Sequence, residues 1–283
     1  PVQIEGVFGR AQQYDGSDDR IILGSAGNPT NSFTLSQWIQ AEQAHEIDPE
    51  ATSGTTGISG QKYAFYPSHG GANAGAGISV GTNGISIYEH GDSYLPPLAV
   101  YGGAVGTGWR HVAIVYSNKQ PRIYLDGSLV RTGLGSTVAS VFAPVICGGD
   151  AYGYFKGRID EIRKSAVVRS PAWLKAEYAG GAGTLLAVGT EYAAGETLIQ
   201  GVAPTLGPTA GGMEMTIAGV GFATGYRRTL VFTNAGAAVT GFQAKIVVDT
   251  AALVSAGKMR SDGGDIRFQD ATTGVRLPHF IES

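Results

Sequence analysis

Hydrophobic and polar residues alternate through most of the first 190 positions with the two-residue period of β-strands. In WRHVAIVYS, His111, Ala113 and Val115 share one face, and Val112, Ile114 and Tyr116 the other. SFTLSQWIQ sets Phe33 and Leu35 together before the alternation breaks toward Trp38. KYAFY, AGISV and GISIYEH read as further strands, with GTNG as a tight turn between the last two. PRIYLDGSLVRTG is a hairpin around Asp126-Gly127, the strongest local turn signal in the chain. KGRIDEIRKS is another strand. SPAWLKAEYAGG predicts a short helix, with Ser170 as N-cap, Pro171 at the first helical position and glycines at its end. LLAVGTEY reads as a closing strand.

The pattern changes at Ala193. Small residues, Pro204, Pro208 and paired glycines up to Gly225 suggest a linker leading into a hairpin. From Tyr226, RRTLVF, FQAKIVVDT, DIRFQD and LPHFIES form a second β-type unit, too short to bury much core alone. The expected organisation is therefore a β-sandwich over 1–192, a linker over 193–225 and a small β region over 226–283.

Composition supports this class. The 283 residues include 44 glycines, as many short strands joined by glycine-containing turns require. A formal charge of −3 with 15% charged residues gives no strong field toward nucleic acid or an anionic membrane. No apolar run approaches the roughly 20 residues that span a bilayer, so membrane insertion is not expected. The single cysteine, Cys147 in VFAPVICGG, reads as a buried, inert thiol. The chain opens at PVQIEGVFGR without a signal peptide and stops at PHFIES, so a processed product or a piece of something longer is expected.

QQYDGSDDRIIL, SFTLSQWIQ, GWRHVAIVYS, RIYLDGSLV and FKGRIDEIRKS follow one another in the order and spacing of a laminin-G-like module. The resemblance spans about residues 5–190 and places the chain near the concanavalin A-like lectin/glucanase superfamily. It implies an all-β fold, a jelly-roll sandwich of two antiparallel sheets, and a binding module on secreted, cell-surface or virion proteins. GPTAGGMEMTIAGVGF resembles the opening strands of an immunoglobulin-like domain of the plexin and transcription-factor type. The residues after it resemble an uncharacterised β domain of bacterial envelope proteins.

Four groups of residues carry candidate chemistry. The glucanase branch of the superfamily uses a Glu-x-Asp-x-Glu strand, and Glu46, Asp48 and Glu50 of HEIDPE match it literally. Pro49 would remove a ladder donor inside that strand, and ATSGTTGISG follows with a loop composition. A solvated loop, or a ligand or ion contact, is therefore expected in place of a catalytic strand. For calcium, YDGSDD offers Asp15, Asp18 and Asp19, and pairing of the first and last strands implied by the resemblance would bring Asp160 beside Asp15. For a glycan, IYEHGDSYLPPLAVYGG offers Tyr88, Glu89, His90, Asp92, Tyr94 and Tyr101. GDAYGYFKG adds Asp150, Tyr152 and Tyr154. Tyrosines in glycine-rich loops supply contact area at low entropic cost; the alternative is that several of them cover core edges. Trp38, Trp109 and Trp173 lie within strand or helix patterns and read as core.

The sequence thus predicts a non-enzymatic, extracellular or cell-surface module that binds a surface glycan or polysaccharide. The runner-up is a structural subunit of a virion fibre or bacterial filament, self-associating through sheet edges. A glycoside hydrolase is the third reading.

Overall fold

The computed structural model describes residues 1–67, 69–92, 94–192, 213–220, 227–234, 246, 250–257, 259–264, 266–270 and 273–278. Contacts divide the chain into two units, Pro1–Tyr178 and Ala179–Ser283.

The strands of the first unit begin with β1 Val2–Glu5, β2 Arg10–Asp15, β3 Ile21–Ile22, β4 Phe33–Ala41, β5 Tyr63–Tyr66 and β6 His69–Gly70. There follow β7 Asn73–Gly81, β8 Gly84–His90, β9 Pro97–Tyr101, β10 Arg110–Ser117, β11 Gln120–Leu125 and β12 Ser128–Thr132. The last are β13 Val141–Phe142, β14 Ile146–Cys147, β15 Gly149–Asp150, β16 Gly153–Tyr154 and β17 Lys156–Ser165, before helix α1 at Pro171–Gly181. One sheet runs β1-β2-β17-β4-β10-β11-β12 and the other β3-β14-β5-β7-β8-β9, with β6 and β13 also on β7. Pairing is antiparallel except between β13 and β7. This is the predicted antiparallel sandwich.

Alternation fills the space between the sheets. Phe33, Leu35 and Ile39 of β4 and Val112, Ile114 and Tyr116 of β10 meet Phe65, Ile78, Val80, Ile85 and Ile87 of the other sheet in one buried cluster. Phe33 stacks on Tyr116 with ring centroids 4.7 Å apart. Cys147 lies in this core with Sγ 3.4 Å from the Tyr14 hydroxyl, and burial pushes its thiol up to about 12, so the inert reading fits its surroundings. Glu89, grouped by the sequence with a binding loop, points inward instead. It accepts from the Tyr116 hydroxyl at 3.2 Å and the Ser136 hydroxyl at 2.5 Å, and burial raises its carboxyl to about 7.

The break at Trp38 has a physical cause: β4 is covered on both faces. Its outward face lies under the segment 167–178, where Thr34 donates to the Val167 carbonyl and Trp38 stacks on Tyr178 at 5.8 Å. Glu177 of α1 is buried there, accepting from Ser36 at 2.8 Å and from Arg163 at 2.7 Å, with His111 at 3.6 Å. Burial alone would raise the Glu177 carboxyl, but His111 and Arg163 outweigh it and hold it near 2. Its folded value lies below its unfolded one, so the stabilisation is present above about pH 4.5 and is lost as pH falls toward 2. Denaturant titrations at a series of pH values are expected to show wild type losing more stability than Glu177→Gln across that window. Parallel profiles would remove Glu177 from this role.

The Asp126-Gly127 turn is as predicted: both residues have positive φ, 50° and 73°, the two-residue hairpin geometry that glycine makes accessible. The strand at LLAVGTEY forms as β18 Leu186–Tyr192, but it pairs with β20 Arg227–Asn234 and does not close the sandwich. Here β18 joins the five-stranded sheet β18-β20-β19-β21-β22, with β19 at Met213–Val220, β21 at Phe268–Asp270 and β22 at Arg276–Leu277. The second unit therefore begins earlier than the expected boundary at 192. The linker expected over 193–225 lies outside the described residues except for β19, as do most of the strand expected at FQAKIVVDT and most of the terminal LPHFIES.

Candidate glycan-binding face

The outer face of the second sheet carries a continuous set of aromatic side chains. Tyr63 and Tyr66 come from β5, Tyr88 and His90 from β8, Tyr94 from the loop after β8, and Tyr152 from the turn between β15 and β16. Tyr63 packs edge-on against Tyr66 at 5.5 Å and Tyr88 at 5.7 Å. His90 lies 5.5 Å from Tyr94 and 5.8 Å from Tyr152. The Tyr94 and Tyr152 rings are 5.1 Å apart and nearly perpendicular, and the Tyr152 hydroxyl donates to that of Tyr94 at 2.6 Å. That bond, followed by partial burial, raises the Tyr152 hydroxyl above its ordinary value.

Tyr94 is held with φ at +45°, a costly conformation for a bulky residue and one that persists where surrounding contacts enforce it. Its carbonyl accepts from the Thr56 N–H at 3.0 Å, and its ring rests on His90 and Tyr152. The rim is thus a pair of pre-positioned tyrosines.

HEIDPE lies in a segment without strand structure, between β4 and β5, that straps across this face. Its carboxylates are attached separately. Asp48 accepts from the Tyr88 hydroxyl at 2.8 Å and from Gln61 at 3.1 Å. Glu50 accepts from the Val100 N–H at 2.6 Å and pairs with Arg131. Glu46 is exposed. His45 is buried, with Nδ1 2.8 Å from the Ser79 hydroxyl and its N–H donated to Asn83, and burial lowers its pKa to about 4. The expected loop is therefore a clamp: its acids fasten it to β8, β9 and β12. Gly57 of the same strap accepts from the Tyr63 hydroxyl at 2.6 Å.

The six residues expected to bind a glycan divide in two. Tyr94 and Tyr152 meet at a partly exposed rim, with Asp92 exposed and Tyr154 partly buried. Tyr88 and His90 are fully buried beneath the strap, so they back the rim and cannot themselves touch a ligand. The tyrosines are thus split by burial, Tyr88 covering a core edge and Tyr94, Tyr152 and Tyr154 partly exposed. The sequence reading gave no role to Tyr66, which stacks on Tyr152 at 6.2 Å.

The expected calcium pair does not assemble. β2 and β17 do pair, but Asp15 is opposite Lys156, four residues from Asp160, roughly 13 Å along the strand. Asp160 instead clasps the β1–β2 turn, accepting from the Phe8 N–H at 2.9 Å and the Glu161 N–H at 2.8 Å. Carboxylate oxygens of Asp15, Asp18 and Asp19 lie within 4.8 Å of one another. That is an oxygen-only group suited to a hard cation, but exposed acidic clusters are ordinary and this one assigns no ion.

A laminin G family model, described as the concanavalin A-like lectin/glucanases superfamily, matches residues 15–175. No curated protein matches the chain. Among solved structures, domain 4 of AbnA, a GH43 extracellular arabinanase from Geobacillus stearothermophilus in complex with arabinotriose, is similar at 17% identity and a TM-score of 0.40. The match covers 61% of this chain and 78% of that one. Botulinum neurotoxin type C, whose cell entry depends on interaction with two ganglioside molecules, matches at 11% identity and a TM-score of 0.41, over 60% of this chain and 44% of that one. The heptameric SAP-like pentraxin of Limulus polyphemus matches at 12% identity and a TM-score of 0.39, over 59% and 81%.

Proposed function

The chain belongs to the concanavalin A-like lectin/glucanase superfamily, and we propose that its first unit is a non-catalytic glycan-recognition module working at the extracellular or cell surface. The observation that carries this reading is the convergence of Tyr94 and Tyr152, 58 positions apart, into one hydrogen-bonded aromatic rim at 2.6 Å. Such a rim offers ring faces to the C–H surface of a sugar and hydroxyls to its edge, on a rigid scaffold that limits ordering cost. The separate attachments of Asp48 and Glu50 favour binding over turnover, because a retaining glycosidase needs two carboxyl groups about 5–5.5 Å apart facing one bond. The second unit, Ala179–Ser283, is an accompanying β region.

A glycan array probed with wild type and Tyr94→Ala tests the reading: wild type is expected to give hits that the variant loses, and no hit would overturn it. Incubation with β-glucan is expected to yield equal background hydrolysis for wild type and Glu46→Gln. Turnover that disappears in the variant would restore the hydrolase.

A further inference from the structure

Beyond the two tyrosines, the outer face ends in a patch built from segments remote in sequence. Ile146 pairs with Ile22 on one side and Tyr66 on the other, so the three share one cross-strand row. Ile146 and Tyr152 pack on the tyrosine cluster, while Ile22 is left 72% exposed. Arg20 lies just before this two-residue strand and is exposed. Its Nη1 donates to Asp150 Oδ2 at 2.5 Å, and the other Asp150 oxygen accepts the Ala151 N–H at 2.9 Å. The pKa of the Tyr66 hydroxyl is raised first by burial and then by the charge of Asp150 and by Tyr152. An aliphatic and aromatic floor thus stands beside a fixed, partly exposed acid–guanidinium pair.

Resting on the glycan reading above, we propose that Arg20 and Asp150, with Ile22, Ile146 and Tyr152 backed by the buried Tyr66, form a subsite for one neutral sugar ring carrying vicinal hydroxyl groups. The C–H face of such a ring covers the apolar floor. Of two adjacent hydroxyls, one donates to Asp150 and its neighbour accepts from Arg20, and these charge-assisted bonds are the stronger kind. The pair holds the two groups at one spacing, which a vicinal diol matches. An acidic sugar is disfavoured: its carboxylate would approach Asp150, and the Arg20 charge is already committed to that residue.

The test is calorimetric titration of the full chain with neutral oligosaccharides and with their uronate- or sialate-bearing counterparts, using wild type, Asp150→Asn, Arg20→Gln and Ile22→Ala. Neutral ligands are expected to bind at least about tenfold more tightly than acidic ones. Asp150→Asn is expected to weaken neutral binding by about tenfold and to narrow that preference. Ile22→Ala, at a position 72% exposed, is expected to leave folding intact and to weaken neutral binding several-fold. If Tyr152→Ala abolishes binding while the Arg20, Asp150 and Ile22 variants match wild type, the glycan-binding face stands and this subsite falls. Equal affinity for acidic and neutral ligands also overturns it. Absence of any glycan binding by wild type overturns the broader reading and the subsite together.

Discussion

Gly57→Ala is expected to destabilise the first unit by about 3 kcal/mol and to weaken glycan binding with it. Two costs combine. Gly57 has φ at +79°, where a side chain is strained by about 1–3 kcal/mol. An added Cβ would also lie 2.6 Å from Tyr88 Cδ1, 2.7 Å from His90 Nε2 and 2.9 Å from the Tyr63 hydroxyl, and such overpacking costs a further ~1–3 kcal/mol. The strap must then lift from the tyrosines that support the rim. Gly54→Ala, in the same strap, supplies the comparison: its φ is +120° but nothing lies within 4 Å, so it bears only the backbone cost. Denaturant unfolding of both variants is the check. Equal losses would mean that the strap does not bear on the aromatic layer.

Tyr152→Ala is expected to raise the dissociation constant for a glycan ligand by at least about tenfold, since one stacked aromatic contributes ~0.5–1.5 kcal/mol beyond the area it buries. The substitution also removes the hydroxyl that holds Tyr94, so the rim loses both a ring and its alignment. Tyr152→Phe keeps the ring and loses only the bond, and is expected to fall between wild type and Tyr152→Ala. Because Tyr152 is only partly buried, the melting temperature should change little in either variant. A binding loss matched by unfolding would reassign Tyr152 to structure.

Much of this architecture is local information. The alternation in WRHVAIVYS and SFTLSQWIQ, the Asp126-Gly127 turn and the Ser170-Pro171 helix start each depend on neighbours in sequence, and each appears at its place. The two tyrosine loops were also legible as candidates. Their separation into rim and support was not, because it depends on a strap that reaches the sheet only through long-range bonds such as Asp48 to Tyr88 and Glu50 to Arg131. The same limit applies to Asp15 and Asp160: strand pairing was foreseeable, but a register four residues apart is set by the whole sheet. Arg20 beside Asp150 gave no sequence signal at all, because 130 positions separate them and a two-residue strand brings them together. LLAVGTEY shows the converse, where the strand itself was clear and its partner was not.

If the paired tyrosines form a binding face, calorimetric titration of wild type and Tyr152→Ala with the glycan giving the strongest array signal will show it. Wild type is expected to bind saturably, and a variant that melts at the same temperature to bind at least about tenfold more weakly. Equal affinities in two equally folded proteins would contradict it.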